Sequence, residues 1–206
     1  MFSFFKKPAK PLEPKEVNVP RGFTRTDDFP PITGDAIGYA YEDEGTFATL
    51  VIGTIQPDES LFVVPDVVEG MRNCLEENQG LIAVGDGKTL NGRDSRWTII
   101  KTHLHEHVVQ YCLTLQILDG QQVLLINMFT EENGPTGVRD SMVYAALSSQ
   151  GDVGPDMRGW RCDPFEDRLI DGFPMNLSEL EELDARFPTH PLSEARAALR
   201  FMNENN

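Results

Sequence analysis

The segment VVQYCLTLQILDGQQVLLINMF, residues 108–129, predicts two neighbouring strands of a β-sheet. In its first half, apolar residues alternate with polar or small ones, which is typical of a β-strand with one face on a core. The apolar set is Val109, Tyr111, Leu113, Leu115 and Ile117, and the other set is Gln110, Cys112, Thr114 and Gln116. Asp119-Gly120 then predicts a tight hairpin turn, because glycine tolerates the positive φ that such a turn needs.

The second half of the stretch predicts a strand that is buried on both faces. One side carries Leu124, Ile126 and Met128, and the other carries Val123, Leu125 and Phe129. A strand of this kind lies inside a sheet that has a covering layer on each side. With a shorter strand upstream, the sequence predicts three consecutive antiparallel strands at about 96–102, 108–118 and 122–129.

Segments outside this meander predict further strands and the helices that cover the sheet. Strands are predicted at 46–55, 36–42 and 81–84, and helices at 65–78, 137–149, 176–187 and from Pro191 onward. The predicted fold class is therefore α+β, an antiparallel sheet flanked by helices on both faces, in a single domain over residues 23–206. Residues 1–22 hold prolines and lysines without periodicity, which predicts an extended or mobile leader.

Composition argues against several functional classes. The formal net charge is −15, and both nucleic acids and anionic membranes require a positive protein surface. We therefore expect no nucleic-acid partner, whereas a protein partner with a basic surface would suit this charge. The sequence also lacks an apolar run of the ~20 residues that a membrane helix needs, and its start does not resemble a signal peptide. A cytoplasmic location is the resulting expectation.

The three cysteines, Cys74, Cys112 and Cys162, are widely spaced and odd in number. Cys74 falls on an apolar helix face and Cys112 inside a strand, so we predict buried, reduced thiols and no disulfide. Because no Cys-x-x-Cys pair exists, we expect no cysteine-built zinc site, and we predict no cofactor.

His103, His105 and His107 fall within five residues and form the densest group of metal-ligand side chains. On a strand they would share one face at ~6.6 Å spacing, and alternate histidines of this kind can reach one zinc ion. The alternative is a polar hairpin connection. In a regular strand the three histidines would lie on the same face as the core-facing Val109, against apolar side chains. We favour the hairpin connection without a metal.

Residues 134–140, at the transition from a strand to a helix, suggest an anion site. Thr136 can cap the helix, the N–H groups near Gly137 can hold an anion, and Arg139 can bind carboxylate or phosphate. We favour the structural alternative, a capped helix start with an Arg139–Asp pair that fixes the turn, since Glu131 and Glu132 just upstream would repel an anion. No Gly-Lys-Ser/Thr follows, so this is not a phosphate-binding loop, and no Gly-x-Ser-x-Gly elbow indicates a hydrolase.

The irregular segment 150–175 holds three large aromatic residues, Trp160, Phe165 and Phe173. A loop of this length is usually functional or held by its own side chains. We expect Phe165 and Phe173 to be packed. Trp160 is flanked by Arg158 and Arg161, and tryptophan and arginine are enriched at binding hot spots. We therefore predict that Trp160 is partly exposed and, with Arg158 or Arg161, contributes to a partner surface.

Several motifs resemble those of an uncharacterised family of bacterial proteins with a PsbP-like α/β/α sandwich. They are Glu76–Ile82, Ile99–Lys101, Gln110–Leu113, Thr136–Asp140, Asp163–Phe165 and His190–Ser193, and the resemblance spans about 45–206. The wider PsbP-like fold serves an extrinsic subunit of photosystem II and a nuclear import factor that binds the GTPase Ran. This resemblance implies a binding role and carries no catalytic residues.

The sequence therefore favours a non-enzymatic protein that binds another protein. The alternative is a small hydrolase or metal-dependent enzyme that uses the 103–107 histidines or the 134–140 turn. An enzyme should show a concave pocket with converging polar groups, and a binding module should show an exposed aromatic patch.

Overall fold

The computed structural model describes residues 11–29, 35–43, 45–105, 108–166 and 172–206. These residues form one antiparallel sheet of seven strands, in the spatial order β1-β2-β3-β7-β6-β5-β4. The strands are β1 Thr24–Thr26, β2 Ile37–Glu42, β3 Thr46–Ile55, β4 Gln79–Lys88, β5 Asp94–His105, β6 Val108–Asp119 and β7 Gln122–Glu132. The α-helices are α1 Val67–Arg72, α2 Val138–Gln150 and α3 Pro191–Asn205. Short 3-10 helices lie at Pro14–Glu16, Pro57–Glu59, Leu61–Val63, Leu177–Glu179 and Glu181–Arg186.

The predicted meander of three strands is confirmed by β5, β6 and β7, which pair antiparallel in sequence order. The predicted strand at 46–55 is also confirmed by β3, which pairs with β7 along its whole length. Each strand of the meander is longer than predicted, because polar residues at the strand ends still pair with their neighbours. The mixed α/β class follows from this sheet and its helices.

One face of the sheet carries the main core and is covered by α3. We call this the first face; it includes Leu50, Ile99, Leu113, Leu115, Ile126 and Met128, all of them buried. Helix α3 places Leu192, Ala195, Leu199 and Met202 against it, as the spacing predicted. At ~25 cal/mol per Å² of apolar surface, this layer is the main source of stability.

The opposite or second face, which includes Val51, Thr98, Cys112, Asn127 and Phe129, is covered unevenly. Phe29 lies over Gly38, where an added Cβ would be 2.0 Å from its ring. At another place the Ser60 hydroxyl donates to Gln116 at 2.7 Å, and Arg96 donates to the carbonyl of Leu61 at 2.7 Å. We predicted a layer of helices over this face. This stays a prediction, because α1 contacts β4, which is the edge strand of the sheet.

The helix predicted at 65–78 is shorter than expected, because strand pairing competes for its end. α1 stops at Arg72, and Gln79 already pairs with Thr102 in the sheet. Cys74 consequently lies outside the helix and is exposed, so the prediction of a buried thiol there is wrong. Cys112 and Cys162 are half-buried free thiols; burial raises the pKa of Cys112 to about 11 and also raises that of Cys162.

The segment predicted as an α-helix at 176–187 forms two 3-10 helices separated by the extended Leu180. The spacing of Asn176 and Glu179 predicts a capping box, and it is present, with the Asn176 side chain accepting from Ser178 N–H and Glu179 accepting from Asn176 N–H. The α-helical prediction fails because side chains elsewhere in the domain bind the carbonyls of this segment, as described below.

The N-terminal segment packs on the domain where the structure describes it. Val17 is buried in the main core, with Leu12 and Val19 against it, and Asn18 N–H donates to the Asn206 side chain at 2.7 Å. The expectation of a mobile leader therefore does not apply to residues 11–19, and residues 1–10 lie outside the described chain. None of the described helices has the length and apolar character needed to cross a membrane.

The close contact between Gly80 of β4 and the backbone of Phe173 gives a stability prediction. A Cβ added at Gly80 would lie 1.8 Å from the carbonyl oxygen of Phe173, whereas one at Gly87 would make ordinary contacts with the side chains of Trp97, at 3.5 Å, and Ser95, at 3.9 Å. Because the Phe173 contact is with backbone, we expect Gly80→Ala to lower the free energy of unfolding by about 2 kcal/mol or more in urea titrations.

Gly87→Ala is the matched control, in the same strand, and should change the free energy of unfolding by less than about 1 kcal/mol. Equal unfolding midpoints for Gly80→Ala and Gly87→Ala would contradict the placement of residue 173 against β4.

Candidate functional site

Arg139, one of the predicted ligand-binding residues, is buried, with 1% of its surface exposed. Its guanidinium has five N–H donors, and each one has an acceptor within the domain. The acceptors are Ser178 O, Ser193 Oγ, His190 Nδ1, Leu180 O and Asp184 Oδ1, at 2.6 to 3.4 Å. Arg139 therefore has no donor left for a ligand, and the structural interpretation with an Arg–Asp pair is correct.

The start of α2 also differs from the predicted anion site. The N-cap is Gly137 in the left-handed region, with φ 72°, and the Thr136 side chain makes no capping bond, so that predicted role is wrong. The Gly137 N–H instead donates to Glu132 Oε2 at 2.8 Å. The carboxylate of Glu132 thus fills the position that a bound anion would take.

Arg139 belongs to a buried layer of polar side chains that also contains the carboxylates of Asp184 and Glu179. We call Arg139, Asp184, Arg196, Glu179, Lys101 and Tyr111 the polar layer. Asp184 Oδ1 also accepts from Arg196 at 3.0 Å. Glu179 accepts from Lys101 Nζ at 2.7 Å and from the Tyr111 hydroxyl at 2.9 Å, and all three side chains are buried. Burial, with the Glu179 charge second, raises the pKa of Tyr111 well above its ordinary value. This layer fixes the 177–186 segment between the sheet and α2. Its charged groups pair with one another, although Asp184 Oδ2 is buried without a hydrogen-bond partner among the described residues.

A surface cleft of roughly 270 Å³ lies beside this layer, at the start of α2 and α3. Pro135, Val138, Phe187 and Pro188 supply apolar parts of its wall, and Glu132 and His190 supply polar groups. The position of His190 just before Pro191 predicts a helix-start turn, which the structure confirms, but the sequence does not connect it to Glu132. The 57 residues between them carry no local signal of their contact, which depends on the docking of α3.

His190 is held as the neutral tautomer with its proton on Nε2. Its Nδ1 accepts from Leu192 N–H at 3.2 Å, so Nε2 must carry the hydrogen. Burial, followed by the charges of Arg139 and Arg196, lowers the pKa of His190 from the ordinary 6.5 to about 3. His190 Nε2 lies 3.8 Å from Glu132 Oε1, which is too far for a hydrogen bond. Burial also raises the pKa of the Glu132 carboxyl.

Trp160 is 5% exposed, so the prediction that it is partly exposed is wrong. Its ring packs edge-on against Tyr144 of α2, with a centroid distance of 5.4 Å, and joins Val143 and Val153 in a second small core. The physical reason is that α2 rests mainly on the 177–179 segment and not on the sheet, so its inner face needs this ring as cover. Arg158 and Arg161 are exposed and have no ion pair among the described residues.

The other two aromatics of the loop are packed as expected. Phe165 is half-buried beneath the Arg72 guanidinium, 5.6 Å from its ring centroid, and Phe173 is half-buried beneath Lys101 Nζ, 4.1 Å from its centroid. Arg72 further binds Asp163 at 2.7 Å, which ties the loop to α1.

The histidine group lies at the end of β5, beside the connection to β6. A register shift between His103 and His105 interrupts the strand there, so the two residues do not form a regular i, i+2 pair. Within the described chain, no group of three or more His, Cys, Asp or Glu side chains is placed to hold a metal ion. His107 lies outside the described residues.

A surface that the sequence did not indicate lies on the second face, around Phe47 of β3. Phe47 is 44% exposed and pairs across the strands with Glu42 on β2 and Glu131 on β7. The next row on the same face is Thr49 and Phe129, both half-buried. We call these five residues the Phe47 surface. The apolar run at 46–55 predicts a buried strand, and Phe47 departs from that prediction because periodicity cannot show which face lacks a cover.

Comparison with models of known protein families gives no match, and comparison with curated proteins gives no significantly similar sequence.

The five bonds of Arg139 predict a large effect of its removal. Arg139→Met leaves the Asp184 carboxylate and two carbonyls without this partner, so we expect a loss of about 3–5 kcal/mol in the free energy of unfolding. Arg200→Met removes only the exposed pair with Glu181 and should cost less than about 1 kcal/mol. Similar urea midpoints for the two variants would contradict the structural role of Arg139.

The pKa of His190 predicts a pH-dependent stability. The unfolded chain takes up a proton near pH 6.5 and the folded chain only near pH 3, so stability falls as the pH decreases through this window. ¹⁵N NMR at pH 5 should show a neutral His190 ring protonated at Nε2. In urea, the same ring should titrate near the ordinary value. A folded-state midpoint close to pH 6 would refute this assignment.

Proposed function

We propose that this chain is a non-enzymatic protein-binding module whose partner docks on the Phe47 surface. The observation that carries the proposal is the exposure of Phe47, which is 44% exposed near the start of β3, at one end of the second face. An isolated exposed apolar residue is ordinary, but here Phe129 and Thr49 continue the patch along the next row of the face. An apolar centre surrounded by polar residues is typical of a small binding site.

The charges beside Phe47 favour a partner with a basic segment. Glu42 and Glu131 flank it on the neighbouring strands, and among the described residues neither carboxylate has an ion-pair partner. Glu42 accepts from the Asn133 amide at 3.3 Å and Glu131 from the Gln110 amide at 2.6 Å, so both are held in place by neutral donors. An arginine or lysine lying over Phe47 would meet both carboxylates and the ring face.

The enzyme alternative has less support from the same structure. The charged groups of the 134–140 turn and the adjoining polar layer are engaged with one another, and a reacting group would have to compete with those bonds. The cleft that contains Glu132 and His190 is the remaining candidate for chemistry, but His190 is neutral with Nδ1 engaged and therefore lacks a free basic nitrogen.

The resemblance to the PsbP-like sandwich supports the same proposal at the level of fold analogy. It points to a binding role in which a sheet and its helices carry an interaction surface without a catalytic motif. Under this proposal the chain acts in the cytoplasm and belongs with the bacterial family whose motifs it resembles.

A peptide-display selection on immobilised protein tests the proposed surface. Selected peptides should combine arginine or lysine with an aromatic or aliphatic residue, because the Phe47 surface offers both kinds of contact. Phe47→Ala should weaken their binding at least about tenfold, the effect of losing one buried aromatic contact. The double variant Glu42→Gln, Glu131→Gln should weaken binding and reduce its dependence on salt.

Val63→Ala is the matched control, because Val63 is 56% exposed and lies in a separate 3-10 helix. It should bind the selected peptides as the unchanged protein does. Peptides that bind Phe47→Ala with undiminished affinity, or that are enriched in acidic residues, would contradict the proposal.

A further inference from the structure

The cleft at the start of α2 holds a hydrogen-bond donor and an acceptor that are not bonded to each other. The donor is His190 Nε2–H, on a side chain that is only 9% exposed and forms no hydrogen bond through this atom among the described residues. The acceptor is Glu132 Oε1, 3.8 Å away, on a carboxylate whose other oxygen accepts from Gly137 N–H. Both side chains line the cleft.

The orientation of both groups is fixed by the fold. The Nδ1 atom of His190 is occupied by Leu192 N–H, so the ring cannot exchange its donor for an acceptor at Nε2. The bond to Gly137 N–H holds the Glu132 carboxylate at the end of β7. A ligand therefore meets a built donor–acceptor pair, and a group with its own acceptor and donor side by side matches it. A primary carboxamide is such a group.

The cleft carries charges of both signs, so neither an anion nor a cation is favoured by its wall as a whole. The carboxylate of Glu132 repels an anion, and Arg139, which lines the cleft, has no donor left to compensate. Arg186 also lines the cleft and stacks on Phe187 at 5.5 Å, so its positive charge opposes the attraction of a cation to Glu132. The apolar wall formed by Pro135, Val138 and Pro188 adds a surface for a flat, apolar body.

We propose that this cleft is a binding site for a small neutral ligand that carries a primary carboxamide on a planar apolar ring. The carboxamide oxygen accepts from His190 Nε2–H, and its N–H donates to Glu132 Oε1. The ring lies against Val138 and the neighbouring prolines. This site lies on the first-face side of the sheet end and is independent of the Phe47 surface, where the protein partner docks.

Three probes with one ring and different head groups test the proposal: benzamide, benzoate and benzylamine. In titrations of the whole chain followed by ¹H–¹⁵N NMR, benzamide should shift the Gly137 amide and the His190 ring signals. We expect it to bind at least about tenfold more tightly than benzoate or benzylamine, since each ion loses one hydrogen bond and meets a like charge.

Two variants localise the site. Glu132→Gln can still accept from Gly137 N–H but turns a donor toward the cleft, so benzamide binding should weaken about tenfold. Val138→Ala removes part of the wall at an exposed position and should also weaken binding, while Val63→Ala should not.

Three outcomes would overturn the proposal. The first is an equal or stronger response to benzoate or benzylamine. The second is benzamide binding that both cleft variants leave unchanged. The third is a stronger response to N-acetylglutamine N-methylamide than to benzamide, which would assign the cleft to a side chain of a protein partner instead of a small molecule.

Discussion

The buried guanidinium of Arg139 is the interaction on which the arrangement of this domain depends. It joins α2 to the carbonyls of Ser178 and Leu180 and, through Asp184, to α3. A buried cation is tolerated only when every donor is satisfied, so these acceptors have to lie where they are. This explains why residues 177–186 form 3-10 turns around an extended Leu180 and not one α-helix: the carbonyls of Ser178 and Leu180 face Arg139, and that of Glu179 faces Arg196.

This polar layer makes the two faces of the sheet different. On the first face, α3 covers the core directly. Helix α2 packs instead on the polar layer and on Trp160. The charged groups of the polar layer bind one another and hold the fold. For this reason the 134–140 turn is no longer our candidate for anion binding. Among the described residues, the two surfaces that we propose for recognition lie outside this layer: the cleft between Glu132 and His190, and the Phe47 surface on the second face.

Local patterns predicted much of the fold, whereas contacts between distant segments decided the site. The meander, β3 and α3 follow from periodicities of two and 3.6, and the capping box at Asn176 was correctly placed. The helix at 65–78 was overestimated because Gln79 pairs with Thr102. Trp160 was expected at the surface because sequence cannot show that α2 lies away from the sheet. An Arg139–Asp pair was anticipated, but Asp184, 45 residues away, could not be identified.

The second face of the sheet is open at Phe47, while α3 covers the core on the first face. Carbene footprinting of the free protein, read out residue by residue by mass spectrometry, measures this difference. We expect Phe47 to be labelled to an extent comparable with the exposed Val63, and Leu50 on the same strand and Met128 on β7 to remain unlabelled. Protection of Phe47 to the level of Leu50 would show that the second face is covered at this position and that Phe47 is not available to a partner.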